Sequence, residues 1–151
     1  NYKTNAIKIK IICPEHGMFE QTPQSHRIGA GCPVCNESKG ERIIAKILDN
    51  MNIKYERQKK FENCKGKTHK LPFDFYLSDY NICIEYDGKQ HYHFDKNMTF
   101  GADYKIGKNN FLRLKRNDSI KNKYCEEKNI KLIRIKYNET DIENKLKQQI
   151  I

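Results

Sequence analysis

The segment LPFDFYLSDYNICIEYDGKQHYH, from Leu71 to His93, decides the fold of this chain. Apolar residues alternate with polar ones in its first half, around Phe73, and again in its second half, around Ile84. This period of two is typical of half-buried β-strands. Between the two runs, residues 78–81 read SDYN, which contains the turn-forming residue types Ser, Asp and Asn. The segment therefore predicts a β-hairpin.

The length of the turn determines which residues of the hairpin face each other. A turn over 78–81 pairs Leu77 with Ile82, and the same register puts Asp74 directly opposite Glu85. Directly opposed like charges destabilise a strand pair. A cation between the two carboxylates removes this repulsion, and hard oxygen ligands suit Mg²⁺ or Mn²⁺. The alternatives are two acids on a solvated face, or a different loop register.

The composition is that of one basic domain with a small appendage. The 151 residues include 29 Lys and Arg against 19 Asp and Glu, which gives a formal net charge of +10. Such a balance favours a polyanionic partner, nucleic acid first and an anionic membrane surface second. The sequence has neither a long apolar stretch nor a signal-peptide pattern. We therefore expect no membrane association and a cytoplasmic location, in a bacterium or a phage-infected cell. Whether further residues precede Asn1 stays open.

Two pairs of metal-ligand residues occur early in the chain, each in a turn rich in Pro and Gly, CPEHG and GCPVC. The ligands would be Cys13, His16, Cys32 and Cys35. In a reducing compartment, such spaced pairs indicate zinc rather than disulfides, and zinc takes S and N donors in a tetrahedron. We predict a structural zinc site in a ribbon of residues 1–36, with the metal supplying much of the folding energy. His26 is a possible substitute ligand, and free thiols in turns are the alternative.

Residues 37–151 alternate between helix and strand patterns. Ser38 and Glu41 fit a capping box ahead of apolar residues at helical spacing. The further predicted elements are a strand over 53–61, a basic loop over 62–70, the hairpin, a polar loop up to residue 110, a basic helix over 111–129, a strand over 131–137 and a terminal helix opened by Thr140 and Glu143. A crossover helix makes the last strand parallel to its partner. The predicted fold is α/β, a small mixed sheet of the α+β kind with helices on its faces.

The order of these elements and acids resembles the PD-(D/E)XK, or restriction-endonuclease-like, superfamily of nucleases. The run IEYDGKQH, with NDSIKNKYC and IKLIRIKY downstream, is similar to its very-short-patch-repair-endonuclease-like branch. CPEHG with GCPVC resembles zinc ribbons fused to phage and homing nucleases. The resemblance covers residues 13–137, and it implies an αβββαβ nuclease core over 37–151, after the zinc ribbon.

For the site, the resemblance implies a metal held by Asp74 and Glu85 and completed by Glu41. Glu41 is alternatively no more than a capping residue. The lysine of the family motif, two residues after the second acid, is replaced here by Asp87, which could instead bind metal or form a turn. The residues that could take over the role of the lysine are Lys89, Gln90 and His91. His91 is a candidate general base because the ordinary pKa of histidine, near 6.5, is close to working pH.

The activity that the resemblance implies is Mg²⁺- or Mn²⁺-dependent hydrolysis of phosphodiester bonds in double-stranded DNA, by a homing, nicking or restriction-type endonuclease. Phosphate contacts are expected from Lys65, Lys67, Lys70, Lys89, Lys115, Arg116 and Lys121, unless these lysines and arginines form solvated faces. One alternative function is a non-catalytic DNA-binding module, a zinc ribbon on a degenerate nuclease core. Another is a structure-specific nuclease acting on branched DNA or RNA. Monomer and homodimer are both open.

Overall fold

The computed structural model describes residues 7–14, 17–27, 30–33, 35, 38–92 and 102–151, and for Gln90 and residues 102–104 only the backbone. Two compact units divide the chain, Asn1–Arg42 and Ile43–Ile151. The predicted division between residues 36 and 37 falls outside the described residues and stays a prediction. None of the helices in the described ranges combines the length and apolarity that crossing a bilayer requires.

The first unit contains a small antiparallel hairpin and one short helix. Its elements are β1 (Ile9–Cys13), β2 (Gly17–Gln21) and α1 (Pro23–Arg27). Gly17 has φ +75°, a left-handed conformation that glycine adopts without a steric penalty. Among the described residues of this unit, the buried hydrophobic ones are Cys13 and Cys32 only. The described part of the unit therefore has almost no apolar core of its own.

A four-stranded mixed sheet forms the centre of the second unit. In their order across the sheet, its strands are β3 (Glu56–Lys65), β4 (Lys70–Leu77), β5 (Ile82–Asp87) and β6 (Lys131–Lys136). The first two neighbouring pairs are antiparallel, whereas β5 and β6 run parallel. The predicted mixed sheet and its parallel last strand are confirmed.

Three longer helices accompany the sheet: α2 (Lys39–Asn50), α3 (Ala102–Glu127) and α4 (Ile142–Ile150). At the start of α2, Ser38 Oγ accepts the Glu41 backbone N–H at 3.1 Å and donates to Glu41 Oε1 at 2.8 Å. This confirms the predicted cap, which satisfies a backbone donor that the helix leaves unpaired. α3 makes the crossover between β5 and β6.

Two hydrophobic clusters cover the two faces of the sheet. In one, Ile44 of α2 and Leu146 of α4 pack with Ile84 of β5. In the other, Cys125 of α3 packs with Cys83 of β5. Successive side chains of a strand point to opposite faces. Glu85, like Cys83, is therefore on the face that α3 covers.

Several predicted boundaries were wrong. β3 begins at Glu56 rather than at residue 53, and α3 and β6 end at Glu127 and Lys136 rather than at residues 129 and 137. β3 continues over 62–65, which the basic composition predicted as loop, because Cys64 is fully buried against the α3 face. α3 begins at Ala102 rather than at residue 111. Gly107 suggested a loop there, but an isolated glycine costs a helix only about 1 kcal/mol. The cap of α4 is Asp141 rather than Thr140, since its Oδ1 accepts the Asn144 N–H at 3.2 Å.

Candidate functional site

The hairpin of β4 and β5 has the predicted register. Leu77 pairs with Ile82 and Phe75 pairs with Ile84. The turn is a short 3-10 helix, Ser78–Tyr80, followed by Asn81, whose φ of 53° is in the left-handed region that asparagine tolerates. The paired residues end at Phe75 and Ile84, one step before the two acids. Those acids therefore lie where the strands part.

Asp74 and Glu85 are linked across this opening. The Asp74 backbone N–H donates to Glu85 Oε1 at 3.2 Å, and the Tyr86 backbone N–H donates to Asp74 Oδ2 at 2.8 Å. Each carboxylate thus accepts a backbone donor from the opposite strand, in the place of the next ladder hydrogen bond. These bonds keep the two acids close together at the end of the hairpin.

A lysine of α3 provides the positive charge beside Glu85. Lys121 Nζ lies 2.7 Å from Glu85 Oε2, and the two side chains are only 11% and 5% exposed. The same ammonium lies 5.2 Å from the centre of the Phe73 ring. From the sequence, Lys121 is expected to contact DNA phosphates, but its ammonium is directed at the buried acid instead. From the sequence, a metal ion was expected to relieve the repulsion between Asp74 and Glu85. Lys121 relieves part of it instead.

Burial controls the protonation of both acids. It raises the pKa of Glu85 to about 7, with a further increase from nearby Asp74 and an opposing effect from Lys121. Burial also raises the pKa of Asp74, against the Tyr86 N–H, Lys121 and the Gln58 amide, which lower it. Glu85 can therefore exchange a proton for another cation near neutral pH, as groups in functional sites often can.

We expect Lys121→Ala to destabilise the protein by about 3–5 kcal/mol above pH 7, because it leaves the buried Glu85 carboxylate without its partner. The loss should shrink as the pH falls through 7, since Glu85 then takes up a proton. Urea unfolding at pH 8 and pH 5.5 measures both effects. The control is Lys123→Ala, because Lys123 is 75% exposed and lies 3.7 Å from Glu127, a pair worth at most about 1 kcal/mol. Equal effects of the two variants would contradict the prediction.

Asp87 has its own cation and its own hydroxyl donor. Its side chain is almost fully buried. Arg134 Nη1 lies 2.5 Å from Asp87 Oδ1, and the Tyr92 hydroxyl donates to Asp87 Oδ2 at 2.9 Å. Arg134 is on β6 and is the register partner of Glu85. The residue that replaces the motif lysine is therefore held in an ion pair.

His91 and Asp118 form a second acid–base pair nearby. His91 Nδ1 lies 2.9 Å from Asp118 Oδ2, and Arg134 Nη2 lies 3.4 Å from Asp118 Oδ1. The hydrogen bond to Asp118 is the main cause that raises the pKa of His91. When Nδ1 donates to a carboxylate, Nε2 of the neutral ring is the nitrogen that can accept a proton. This pair lies in a cavity of about 320 Å³ whose lining includes Asp87, Tyr92 and Lys115.

Three groups of this cavity also have metal-ligand chemistry. The ligand atoms of Asp87, His91 and Asp118 lie within 4.8 Å of one another. Arg134 contacts both carboxylates, however. The guanidinium therefore provides the positive charge that a metal ion would otherwise supply here.

In the first unit, three thiols form a cluster that could bind a metal. The Sγ atoms of Cys13, Cys32 and Cys35 lie within 4.8 Å of one another, and those of Cys13 and Cys35 are 3.5 Å apart. Sulfur ligands of a tetrahedral zinc ion are about 3.8 Å apart, given Zn–S bonds of about 2.3 Å. The hydrogen bond with Cys13 raises the pKa of Cys35 to about 12, and metal binding would displace that proton. The predicted ligand His16 lies outside the described residues.

Glu41 is found at the start of α2, where its carboxylate accepts from Ser38. For Glu41 to join the acids, α2 has to pack on their face of the sheet. Residues 43–50 do not meet this condition, because Ile44 and Leu48 pack in the cluster opposite α3. The catalytic assignment of Glu41 stays a prediction. So does that of Gln90, whose side chain is outside the described atoms.

The basic residues expected to contact DNA differ in exposure. The exposed ones are Lys65, Lys67, Lys89, Lys115 and Arg116. Lys70 forms an ion pair with Glu62. The ammonium of Lys115 lies 5.5 Å from the ring centre of Tyr92, at the cavity that contains His91. Contact between these residues and DNA stays a prediction.

Sequence reasoning did not assign Asp118 and Arg134, or the contact of Lys121 with Glu85. A signal for part of this set exists, since Asp118, Lys121, Asn122 and Cys125 recur at helical spacing. Together they form one face of α3. Cys125 packs in the core, and the three polar members bind His91, Glu85 and Arg134. Helical spacing therefore indicates that these four side chains lie on one side of α3.

Comparison with known proteins gives one match. Residues 1–36 are similar to a family described as a protein of unknown function (DUF723). No curated protein and no solved structure matches the chain significantly. The match covers the cysteine-bearing segment but none of the four-stranded sheet.

Proposed function

We propose that this protein is a metal-dependent DNA endonuclease with a PD-(D/E)XK-like core. The observation that carries the proposal is the Asp74–Glu85 pair, held together where two strands part and contacted by Lys121 at 2.7 Å. The His91–Asp118 pair in the neighbouring cavity adds a candidate base. The mixed sheet with a crossover helix is the scaffold that such a core requires.

Asp74 and Glu85 would hold the divalent ion. Their carboxylate oxygens suit Mg²⁺ or Mn²⁺, and the raised pKa of Glu85 lets a cation replace its proton near neutral pH. When bound, such an ion polarises the scissile phosphate and lowers the pKa of a water molecule. The first-unit thiols would hold a structural zinc ion, since three sulfur donors at these separations suit zinc.

Lys121 would supply the charge that the missing motif lysine supplies in the family. Its ammonium reaches Glu85 from α3 rather than from β5, the strand that carries Glu85. A fixed positive charge inside a poorly solvated site stabilises the charge that develops on phosphate oxygens. Asp87 would not take part directly, because Arg134 and Tyr92 already bind its carboxylate.

His91 would accept the proton of the attacking water. Asp118 holds Nδ1 and leaves Nε2 for this role, and Arg134 in turn fixes Asp118. Positioned general bases contribute about 10²–10⁴-fold to rates.

The DNA backbone would be bound by exposed basic side chains, namely Lys115 and Arg116 on α3 and Lys65 and Lys67 near the β3–β4 turn. These contacts would make the affinity for DNA depend on salt.

The experiment that tests this function is cleavage of supercoiled plasmid with Mg²⁺ or Mn²⁺, against EDTA and against zinc alone. Linear, branched and RNA substrates in parallel distinguish an ordinary endonuclease from a structure-specific one. Conversion to nicked or linear DNA that depends on the divalent ion supports the proposal. Intact plasmid under all of these ions, from protein that binds DNA, would exclude it.

We predict that His91→Ala lowers the cleavage rate about 10²–10⁴-fold. The base must be neutral, so the wild-type rate should rise with pH through the pKa of His91. Asp118→Asn removes the main cause that raises this pKa. The rising limb should therefore move to lower pH while the plateau falls. His69→Ala, in the exposed β3–β4 turn, is the control and should behave as wild type. An unshifted pH profile in Asp118→Asn would show that Asp118 does not act through His91.

A non-catalytic DNA-binding module is the second candidate. It is favoured by the two basic side chains, Lys121 and Arg134, that neutralise Glu85 and Asp87 without any metal ion. Fluorescence anisotropy with labelled duplex DNA and zinc-loaded protein, without added Mg²⁺ or Mn²⁺, distinguishes the two candidates when it is run next to the plasmid assay. Tight binding that needs neither Mg²⁺ nor Mn²⁺, without cleavage when they are added, would support the module.

A further inference from the structure

Gln58 has an unusual backbone conformation for its position. Among the described residues, the non-glycine residues with positive φ are Asn52, Gln58, Asn81 and Asn129. Asparagine tolerates this left-handed region, but a residue with a longer side chain enters it only at a cost in free energy. Gln58, with φ 52°, also lies inside strand β3 rather than in a turn. Such strained residues often occur at functional sites.

The strained residue lies beside the candidate metal site. Its chain neighbours Arg57 and Lys59 pair with Phe75 and Phe73 of β4, so Gln58 is level with Asp74. Its side-chain Nε2 lies 3.4 Å from Asp74 Oδ1. The other oxygen of the same carboxylate accepts the Tyr86 N–H from β5. Asp74 is therefore held from both neighbouring strands.

We propose that Gln58 is a positioning residue, whose left-handed backbone aims its amide at Asp74 and so keeps that carboxylate oriented for a divalent ion shared with Glu85. This inference rests on the proposed function. A bond of 3.4 Å is longer than the usual 2.9–3.0 Å of an N–H···O contact. So weak a bond does not account for a strained backbone by itself. The benefit of the conformation comes when Asp74 carries a cation, since residues that orient metal ligands usually act in this way.

The test compares Gln58→Ala, which removes the amide and keeps the strain, with Gln58→Gly, which removes both. Isothermal titration with Mn²⁺ should show that both variants bind about 10–100-fold more weakly than wild type. Gln58→Gly should nevertheless melt about 2–4 °C higher than Gln58→Ala, because glycine accepts the left-handed backbone. Gln148→Ala, an amide removed from the exposed surface of α4, should change neither quantity.

Amide hydrogen exchange without added Mn²⁺ or Mg²⁺ provides a readout that needs neither the divalent ion nor activity. Without Gln58, the Asp74 carboxylate is freer to turn away from the Tyr86 N–H, and that amide should exchange faster while Ile84 stays protected. Unchanged Tyr86 exchange in both variants, or Mn²⁺ affinity restored in Gln58→Gly, would overturn the inference. If wild type binds no Mn²⁺, the proposed metal site fails. Faster Tyr86 exchange would then still support the positioning of Asp74, and unchanged exchange would refute it.

Discussion

Glu85→Gln should abolish divalent-metal binding and lower plasmid cleavage by about 10³-fold or more. Changes in residues that merely orient a metal ligand cost about 10–100-fold, and loss of a charged ligand should cost more. The substitution keeps the size of the side chain and an oxygen that can accept the Asp74 N–H. It removes the charge that a metal ion needs. Cleavage kinetics under single-turnover conditions with Mn²⁺ measure the loss.

The same substitution leaves Lys121 without its ion-pair partner, so a fold defect has to be separated from a site defect. The double variant Glu85→Gln with Lys121→Met replaces both charges, and such joint replacements are often close to neutral for stability. It should unfold at nearly the wild-type urea concentration and still fail to cleave. Glu143→Gln, which affects a surface ion pair of α4, is the matched control and should cleave normally.

Two results would contradict the assignment of Glu85. One is wild-type cleavage by Glu85→Gln. The other is a crystal soaked with Mn²⁺ whose anomalous density is absent between Asp74 and Glu85 while the protein cleaves DNA. Either would locate the chemistry elsewhere, with the His91–Asp118 cavity as the next place to search.

Removal of the proposed zinc ion should unfold the first unit and leave the second intact. The described residues of the first unit bury only Cys13 and Cys32 among hydrophobic residues, while Ile12 and Met18 are 78% and 64% exposed. Apolar burial therefore contributes little stability there. Structural zinc contributes about 10–16 kcal/mol in comparable small units at pH 7. Without the metal, no comparable source of stability remains in the described part of this unit.

The measurement is hydrogen exchange by mass spectrometry before and after chelation, together with elemental analysis. We expect one zinc per chain, rapid exchange over β1 and β2 after chelation, and unchanged protection in β4 and β5. Cys32→Ser should reproduce the effect of the chelator, as should His16→Ala if the predicted fourth ligand is right. Cys64→Ala, a buried cysteine of the second unit, should keep its zinc. A chelated protein with full protection of β1 would show that the thiols do not bind a structural metal.

The hairpin and helix α2 could be predicted because their signals are local. Alternation around Phe75 and Ile84 and a turn of fixed length are enough to set a register. Ser38 and Glu41 are three residues apart, so their contact depends on one helical turn. The predicted start of α3 was wrong because a glycine such as Gly107 occurs both in loops and in helices. Packing over a long helix outweighs one unfavourable residue.

The site was predicted in part. Asp74 and Glu85 belong to one hairpin, so sequence alone brought them together. Asp118 reaches His91 over 27 residues, and Arg134 reaches Asp87 over 47. These contacts depend on how the crossover helix lies on the sheet, which no local pattern specifies.

The sequence by itself determined the strand alternation, the hairpin register, the cap of α2 and the spacing within each cysteine-bearing turn, because each depends on residues a few positions apart. The tertiary structure decided which cation meets Glu85. Lys121 is 36 residues away in the chain, and a buried carboxylate is stabilised by whichever charge the packed helix brings to it. That choice depends on the packing of α3 against β5, which no local pattern of the sequence specifies.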